Sequence, residues 1–137
     1  MNLVSIRIIT ADVRKMVAFY ERVTGTTAIQ HTEDFAELQA GCATLAIGSV
    51  RTLQLFGGNE VAKAAQNRSA IIEFITQDVA TTYERLAVFL EGCLVQKPTT
   101  MPWGNKSLLF RDPDGNLVNF FTPVSPEAIK KFSGKMA

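Results

Sequence analysis

The sequence predicts an α+β fold in which two tandem βαβββ modules form a curved, half-open mixed sheet. Three observations predict it. A pattern is written twice: Ile6-Arg7-Ile8-Ile9-Thr10-Ala11-Asp12-Val13 matches Ile72-Glu73-Phe74-Ile75-Thr76-Gln77-Asp78-Val79 at an offset of 66 residues. A repeat at about half the chain length marks two copies of one supersecondary unit. Each copy also runs from an Ile- and Phe-rich stretch, which suits a strand, into an Asp followed by apolar residues at helical spacing. Last, Asp114-Gly115-Asn116 lies between two apolar runs, which is a hairpin signal.

The elements follow in order. Asp12 stands where a helix N-cap belongs, and its carboxylate can accept the first free backbone N–H groups. Val13, Met16, Val17, Tyr20 and Val23 then recur at helical spacing. After Asp78, Val79, Tyr83, Leu86, Ala87 and Leu90 do the same. Gly25 and Gly92 follow the two helices, where a left-handed residue is wanted. Strand candidates in the first half are Thr27–His31, Ala36–Gln39 with Thr44–Ile47, and Thr52–Phe56. In the second half they are Leu94–Gln96, Ser107–Arg111 and Leu117–Thr122. The single domain of residues 1–137 therefore divides into module 1 (about 1–56), a polar linker (about 57–69) and module 2 (about 70–123). Pro123 and Pro126 end the last strand, and Ser125 caps a short C-terminal helix over about 125–133. A four-stranded sheet with one helix has one bare face. Two such sheets side by side cover each other partly and leave a concave trough.

Composition excludes several function classes. Fourteen Lys and Arg face thirteen Asp and Glu, a net charge of +1, with no basic patch to attract nucleic acid or an anionic membrane. No apolar run approaches the roughly 20 residues of a membrane span. Asn2, Ser5 and Arg7 interrupt the N-terminal apolar run, against a signal peptide. Two distant cysteines, Cys42 and Cys93, read as free thiols of a cytoplasmic protein. No phosphate-cradling glycine loop is present, and nothing places either thiol beside the lone His31.

Phe110-Arg111-Asp112-Pro113-Asp114-Gly115-Asn116, followed by the apolar strand Leu117-Val118-Asn119-Phe120-Phe121, resembles the terminal signature of the vicinal-oxygen-chelate superfamily, which includes glyoxalase, bleomycin-resistance and dioxygenase proteins. The strand-Asp-Val-helix opening, with Phe19-Tyr20 and Gly25 downstream, resembles that family's first module. Pro102-Trp103-Gly104 resembles its bleomycin-resistance branch. The resemblance runs from about Leu3 to Thr122 and implies paired βαβββ modules, a half-open barrel and a homodimer. In the family's enzymes it implies a divalent metal held by His, Glu or Gln on the first and last strands of each module. Carried over residue by residue, the ligand positions read Ser5, Leu53, Ile71 and Asn119. None is a His or a carboxylate, so no metal and no other cofactor is expected.

Alternation along the strands puts Ser5, Arg7 and Ile9 on one face, and Ile71, Glu73 and Ile75 on its repeat equivalent. Ile6, Ile8, Ile72 and Phe74 then face the helices. Arg7 and Glu73 are expected either to pair in the trough as its polar centre or to form a structural ion pair with no ligand role. Trp103 offers a flat apolar face with one N–H donor for stacking. Phe35, Glu37, Phe56, Phe121 and Asn119 complete the candidate ligand-binding set, with no catalytic residue named. The sequence thus points to a metal-independent protein that sequesters a small organic molecule, as resistance proteins of this family do. Two alternatives stand beside it. One is a metal-dependent glyoxalase-like lyase or isomerase, dioxygenase or thiol transferase whose ligands are displaced to Glu37, Glu73 and His31. The other is an interaction module whose trough is filled by Ile9, Ile71, Ile75, Leu53 and Phe121.

Overall fold

The computed structural model describes residues 1–136. The chain forms two compact units, Met1–Asn67 with the turn Asp112–Gly115, and Arg68–Arg111 with the stretch from Asn116 onward.

In the first unit the elements are β1 (Ser5–Thr10), α1 (Val13–Thr24), β2 (Ile29–Thr32), β3 (Phe35–Ala40) and β4 (Ala43–Ser49). The sheet order is β1-β4-β3-β2. β1 runs parallel to β4, and the other neighbours are antiparallel. The Asp12 carboxylate accepts from the Lys15 N–H, and Gly25, at φ 72°, closes α1 with its N–H on the Glu21 carbonyl. The buried stripe of α1 holds Val13, Met16, Val17, Phe19, Tyr20 and Val23. It packs across β3 and β4, where Ala36, Leu38, Leu45 and Ile47 are buried. Ile6 shares that face by register with Leu45, yet is 51% exposed. The helix lies over the inner strands, and β1 is at the sheet edge, so Ile6 does not pack on the helix as alternation alone suggests.

A second correction concerns the end of this unit. Thr52–Phe56 is not a strand. Gly41, at φ 63°, turns the chain between β3 and β4 so tightly that Ala40 pairs with Ala43. The stretches 36–39 and 44–47 are therefore two strands, and they complete the sheet. The chain then enters a single 3-10 turn over Val50–Leu53, whose first free N–H, on Arg51, is accepted by the Ser49 hydroxyl.

The second unit repeats the plan with β5 (Ile71–Ile75), α2 (Val79–Leu90), β6 (Leu94–Thr100), β7 (Asn105–Arg111) and β8 (Leu117–Pro123), in the order β5-β8-β7-β6. Asp78 caps α2 by accepting from the N–H groups of Ala80 and Thr81. Thr122 locks the helix start onto β8: its hydroxyl accepts from the Val79 N–H and donates to the Thr76 carbonyl. Phe74 and Phe110 both meet Phe120 edge-on, at 5.4 and 5.0 Å between centroids, within the apolar layer that includes Leu86, Leu90, Leu108 and Val118. α2 does not end on a left-handed glycine. Glu91 stays right-handed with its N–H on the Val88 carbonyl, and Gly92 keeps an ordinary φ. After β8, α3 (Pro126–Lys131) starts at Ser125, whose hydroxyl accepts from the Ala128 N–H. No helix among the described residues is long and apolar enough to cross a membrane.

The Asp112–Gly115 turn is fixed by one carboxylate. Asp112 Oδ1 accepts from the Asp114 N–H at 2.9 Å, and its carbonyl accepts from the N–H of Gly115, which sits at φ 83°. Its Oδ2 accepts from the Tyr20 hydroxyl at 2.7 Å, in a buried hydrogen bond. Burial first, and then the Asp112 charge, push the Tyr20 phenol well above its ordinary value.

Tyr20→Phe removes that donor from a buried carboxylate. The variant is expected to lose about 1–3 kcal/mol of stability, measured by urea unfolding. The unfolded chain releases the Tyr20 proton near pH 10 while the folded chain keeps it, so the wild-type protein should lose stability as pH rises above about 10. Tyr20→Phe should flatten that alkaline loss, and an unchanged slope would show that Tyr20 does not drive it.

Candidate functional site

The face of the first sheet away from α1 is built in cross-strand rows. Arg7, Ala46, Glu37 and Ile29 share one row, and Ile9, Gly48 and Phe35 share the next. Ser5, Thr44 and Gln39 form the row before them. Parallel pairing of β1 with β4 is what places the N-terminal Arg7 against the C-terminal strand of the unit.

Arg7 is held by aromatic rings. Its Cζ lies over Phe35 at 4.9 Å from the ring centroid and over Phe56 at 5.1 Å. A guanidinium in this position is attracted by the negative face of the ring. Gly48 leaves room for the arginine stem: a Cβ there would stand 3.6 Å from Arg7 Cδ and 3.2 Å from the Thr52 hydroxyl oxygen. His31 stacks on Phe35, with centroids 5.7 Å apart and planes inclined by 29°. Its Nε2 shares a 2.7 Å hydrogen bond with Glu37 Oε1. The face therefore carries a run of flat groups, His31, Phe35, Arg7 and Phe56, with the only carboxylate of the Arg7 row engaged by the histidine.

Phe56 reaches Arg7 because of the segment after β4. The Leu53 carbonyl accepts from the N–H groups of both Phe56 and Gly58, at 3.0 and 2.8 Å. Gly57 and Gly58 sit at φ 91° and 89°, a region costly for any residue with a Cβ. A knot of polar groups holds the start of this segment. Asp34 Oδ1 accepts from the Ser49 hydroxyl and from Arg51 Nε, at 2.7 and 2.8 Å, and Arg51 Nη2 lies 2.6 Å away. Hydrogen bonding from Arg51, and then from Ser49, holds the Asp34 carboxyl below its usual range.

In the second unit, parallel pairing sets Glu73 beside Asn119. Asn119 Nδ2 donates to Glu73 Oε2 at 2.8 Å, while the buried Asn119 Oδ1 has no hydrogen-bond partner. Phe121, on the same face, is buried and meets Phe132 edge-on at 5.1 Å. Ile71 is 52% exposed. Trp103 is 67% exposed in the turn closed by the Gly104 N–H on the Met101 carbonyl.

Among the residues singled out from sequence, the structure thus brings Arg7, Phe35 and Phe56 together, and separately Glu73 and Asn119. Ser5 is exposed, two residues before Arg7 on β1. Arg7 is engaged by rings and Glu73 by an amide, each inside its own unit. Leu53 needs correction. It is not on a strand but in the 3-10 turn, buried to 3% exposure, and it anchors the segment that presents Phe56. The strand residue equivalent to Asn119 is Ala46, because Arg7 pairs with Ala46 as Glu73 pairs with Asn119. A fixed 66-residue offset misses it, since the first unit reaches its last strand in fewer residues than the second. The tight Gly41-Cys42 turn is the signal that recovers the count. His31 as a ring partner and the Asp34–Ser49–Arg51 knot left no sequence signal, because each joins residues from different strands or turns.

A model of the Glyoxalase/Bleomycin resistance protein/Dioxygenase superfamily matches residues 2–120. The chain belongs to this superfamily. It is 27% identical over 119 residues to uncharacterized protein YwbC of Bacillus subtilis (strain 168), covering 83% of this chain and 91% of that protein. Solved structures with the same fold include a glyoxalase/bleomycin resistance protein/dioxygenase family enzyme from Burkholderia phytofirmans PsJN, with a TM-score of 0.79 at 17% identity, covering 90% of this chain and 100% of that one. Another is a glyoxalase/bleomycin resistance protein/dioxygenase from Nocardioides, with a TM-score of 0.73 at 21% identity, covering 92% and 85%. At these identities the structures establish the shared fold.

The divalent metal that the superfamily's enzymes imply does not fit the residues present. The first unit offers Ser5 and Ala46 at the corresponding strand positions, and the second offers Ile71 and Asn119. Such a cation needs several converging charged or imidazole donors. No group of three or more His, Cys, Asp or Glu able to hold an ion occurs among the described residues.

Leu53→Ala leaves a cavity under the segment that carries Phe56. It is expected to destabilise the protein by about 2–5 kcal/mol in urea unfolding. A loss well below that range would show that Leu53 does not anchor the segment.

Proposed function

We propose that this chain is a metal-independent small-molecule-binding protein of the glyoxalase/bleomycin-resistance superfamily, which sequesters an organic ligand on an aromatic-lined sheet face. The observation that carries the reading is the identity of the strand residues Ser5, Ala46, Ile71 and Asn119, which provide no carboxylate and no imidazole. Recognition then falls to shape, apolar contact and a few polar groups, as in most small-molecule sites. The rings of Phe35 and Phe56 beside Arg7 supply such a surface. His31 and Glu37, two of the residues a displaced metal site would recruit, are committed to one another. The proposal extends to a cytoplasmic homodimer, the assembly implied by the family resemblance.

Two measurements test it. After incubation with Mn(II), Fe(II), Ni(II) and Zn(II) followed by dialysis, elemental analysis should find far less than one ion per chain. One tightly held divalent ion per chain would overturn metal independence. A thermal-shift screen of planar aromatic and glycopeptide-like compounds should raise the melting temperature, since a ligand that binds only the folded state at about 100 times its Kd adds about 2.7 kcal/mol. Silence across a broad screen would favour an interaction module instead.

A further inference from the structure

We propose that Arg7 is the receptor for an anionic group, and that the ligand is a planar aromatic carboxylate. The inference rests on the metal-free binding reading above and adds the chemical class of the ligand.

The argument starts from the two surfaces of a guanidinium. Its flat face interacts with π systems, and its edge carries five N–H donors in a fixed fork that matches a carboxylate. Here Phe35 and Phe56 both lie against the Arg7 head group, with its Cζ over each ring. Neither ring accepts a conventional hydrogen bond, so these contacts leave N–H donors of the fork for a ligand. No hydrogen bond or ion pair engages Arg7 among the described residues. The carboxylate that could have neutralised it is Glu37, two strands across the same row and so about 10 Å away at Cα. Glu37 instead holds His31 at 2.7 Å. Within its own unit the arginine is therefore a positive group without a carboxylate partner.

It is also positioned in advance. A free arginine loses much rotamer freedom when it binds a ligand. Two rings and the flat floor at Gly48 restrict this one beforehand. Preorganisation of this kind favours binding by lowering the ordering cost. Phe56, at 62% exposure, offers an open ring surface next to the guanidinium. A ligand whose carboxylate takes the Arg7 fork has an aromatic surface within reach for its own ring. That combination selects a flat anion over a flat neutral molecule and over a compact inorganic anion.

The test is isothermal titration calorimetry of the full chain with 2-naphthoate, beside its neutral isostere 2-naphthamide and inorganic phosphate. Naphthoate should bind at least about tenfold more tightly than naphthamide, because charge-assisted hydrogen bonds are about twice as strong as neutral ones. Phosphate should bind weakly. Arg7→Gln should weaken naphthoate by about tenfold or more, and Arg7→Lys should fall between, since an ammonium keeps the charge and loses the fork. Phe56→Leu should weaken naphthoate several-fold through loss of stacking. Melting curves of each variant confirm that the fold is kept. Equal affinity for naphthoate and naphthamide, no response to Arg7→Gln, or no binding of naphthoate overturns the anion inference. If other planar compounds still raise the melting temperature, the metal-free binding reading survives that failure. If none does, both fall.

Discussion

The constraint on which this structure depends is the parallel pairing of the first and last strands of each unit, β1 with β4 and β5 with β8. Parallel neighbours cannot be joined by a tight turn, so a helix must cross over between them. That crossover places α1 and α2 on one face of their sheets and leaves the other face for side chains from both ends of the unit. Arg7 comes to lie beside Ala46, and Glu73 beside Asn119, although each pair is distant in sequence. The same strands carry metal ligands in enzymes of the superfamily. In this chain the corresponding positions on those strands hold Ser5, Ala46, Ile71 and Asn119.

Those residue types set which polar groups the strands present. A divalent ion is a dense charge that organises donors around itself. Without such donors the polar groups must satisfy one another or remain open to a ligand. The second unit follows the first course, with the Asn119 amide on the Glu73 carboxylate. In the first unit His31 takes Glu37, and Arg7 is left to the rings of Phe35 and Phe56. Within the first unit Glu37 thus has a hydrogen-bond partner, and Arg7 has ring contacts in place of a carboxylate. The proposed binding of a small molecule rests on that face, with one cation among flat apolar groups.

The signature turn has a physical explanation of its own. Asp112 uses one carboxylate oxygen to close its turn through the Asp114 N–H and the other to receive the Tyr20 hydroxyl. Two motifs noted independently in the sequence, Phe19-Tyr20 and the Arg-Asp-Pro-Asp-Gly-Asn run, are two halves of one buried hydrogen bond. Such a bond contributes modestly when made and costs more when one partner is lost, because the remaining group stays desolvated. That asymmetry makes Tyr20 a residue to which stability and alkaline tolerance are both sensitive.

Much of this architecture was legible in the sequence because it is local. Asp12 and Asp78 announce their helices through backbone N–H groups within three residues, and the apolar periodicities of α1 and α2 record which side is covered. The repeat identified the two modules, and the family's strand positions showed which ligand types were missing. The errors came where local pattern carries no register. Without the tight turn at Gly41 in the count, local pattern makes a strand of a 3-10 turn and puts Leu53 in the place that belongs to Ala46. Ile6 looked buried by alternation, but alternation does not say which strands a helix covers. What tertiary structure alone decided is the company each candidate keeps: Arg7 with Phe35 and Phe56, Glu37 with His31, Glu73 with Asn119. Sequence fixes the spacing of residues along a strand, whereas the partner across the sheet is set by strand order and register, which only the folded chain selects.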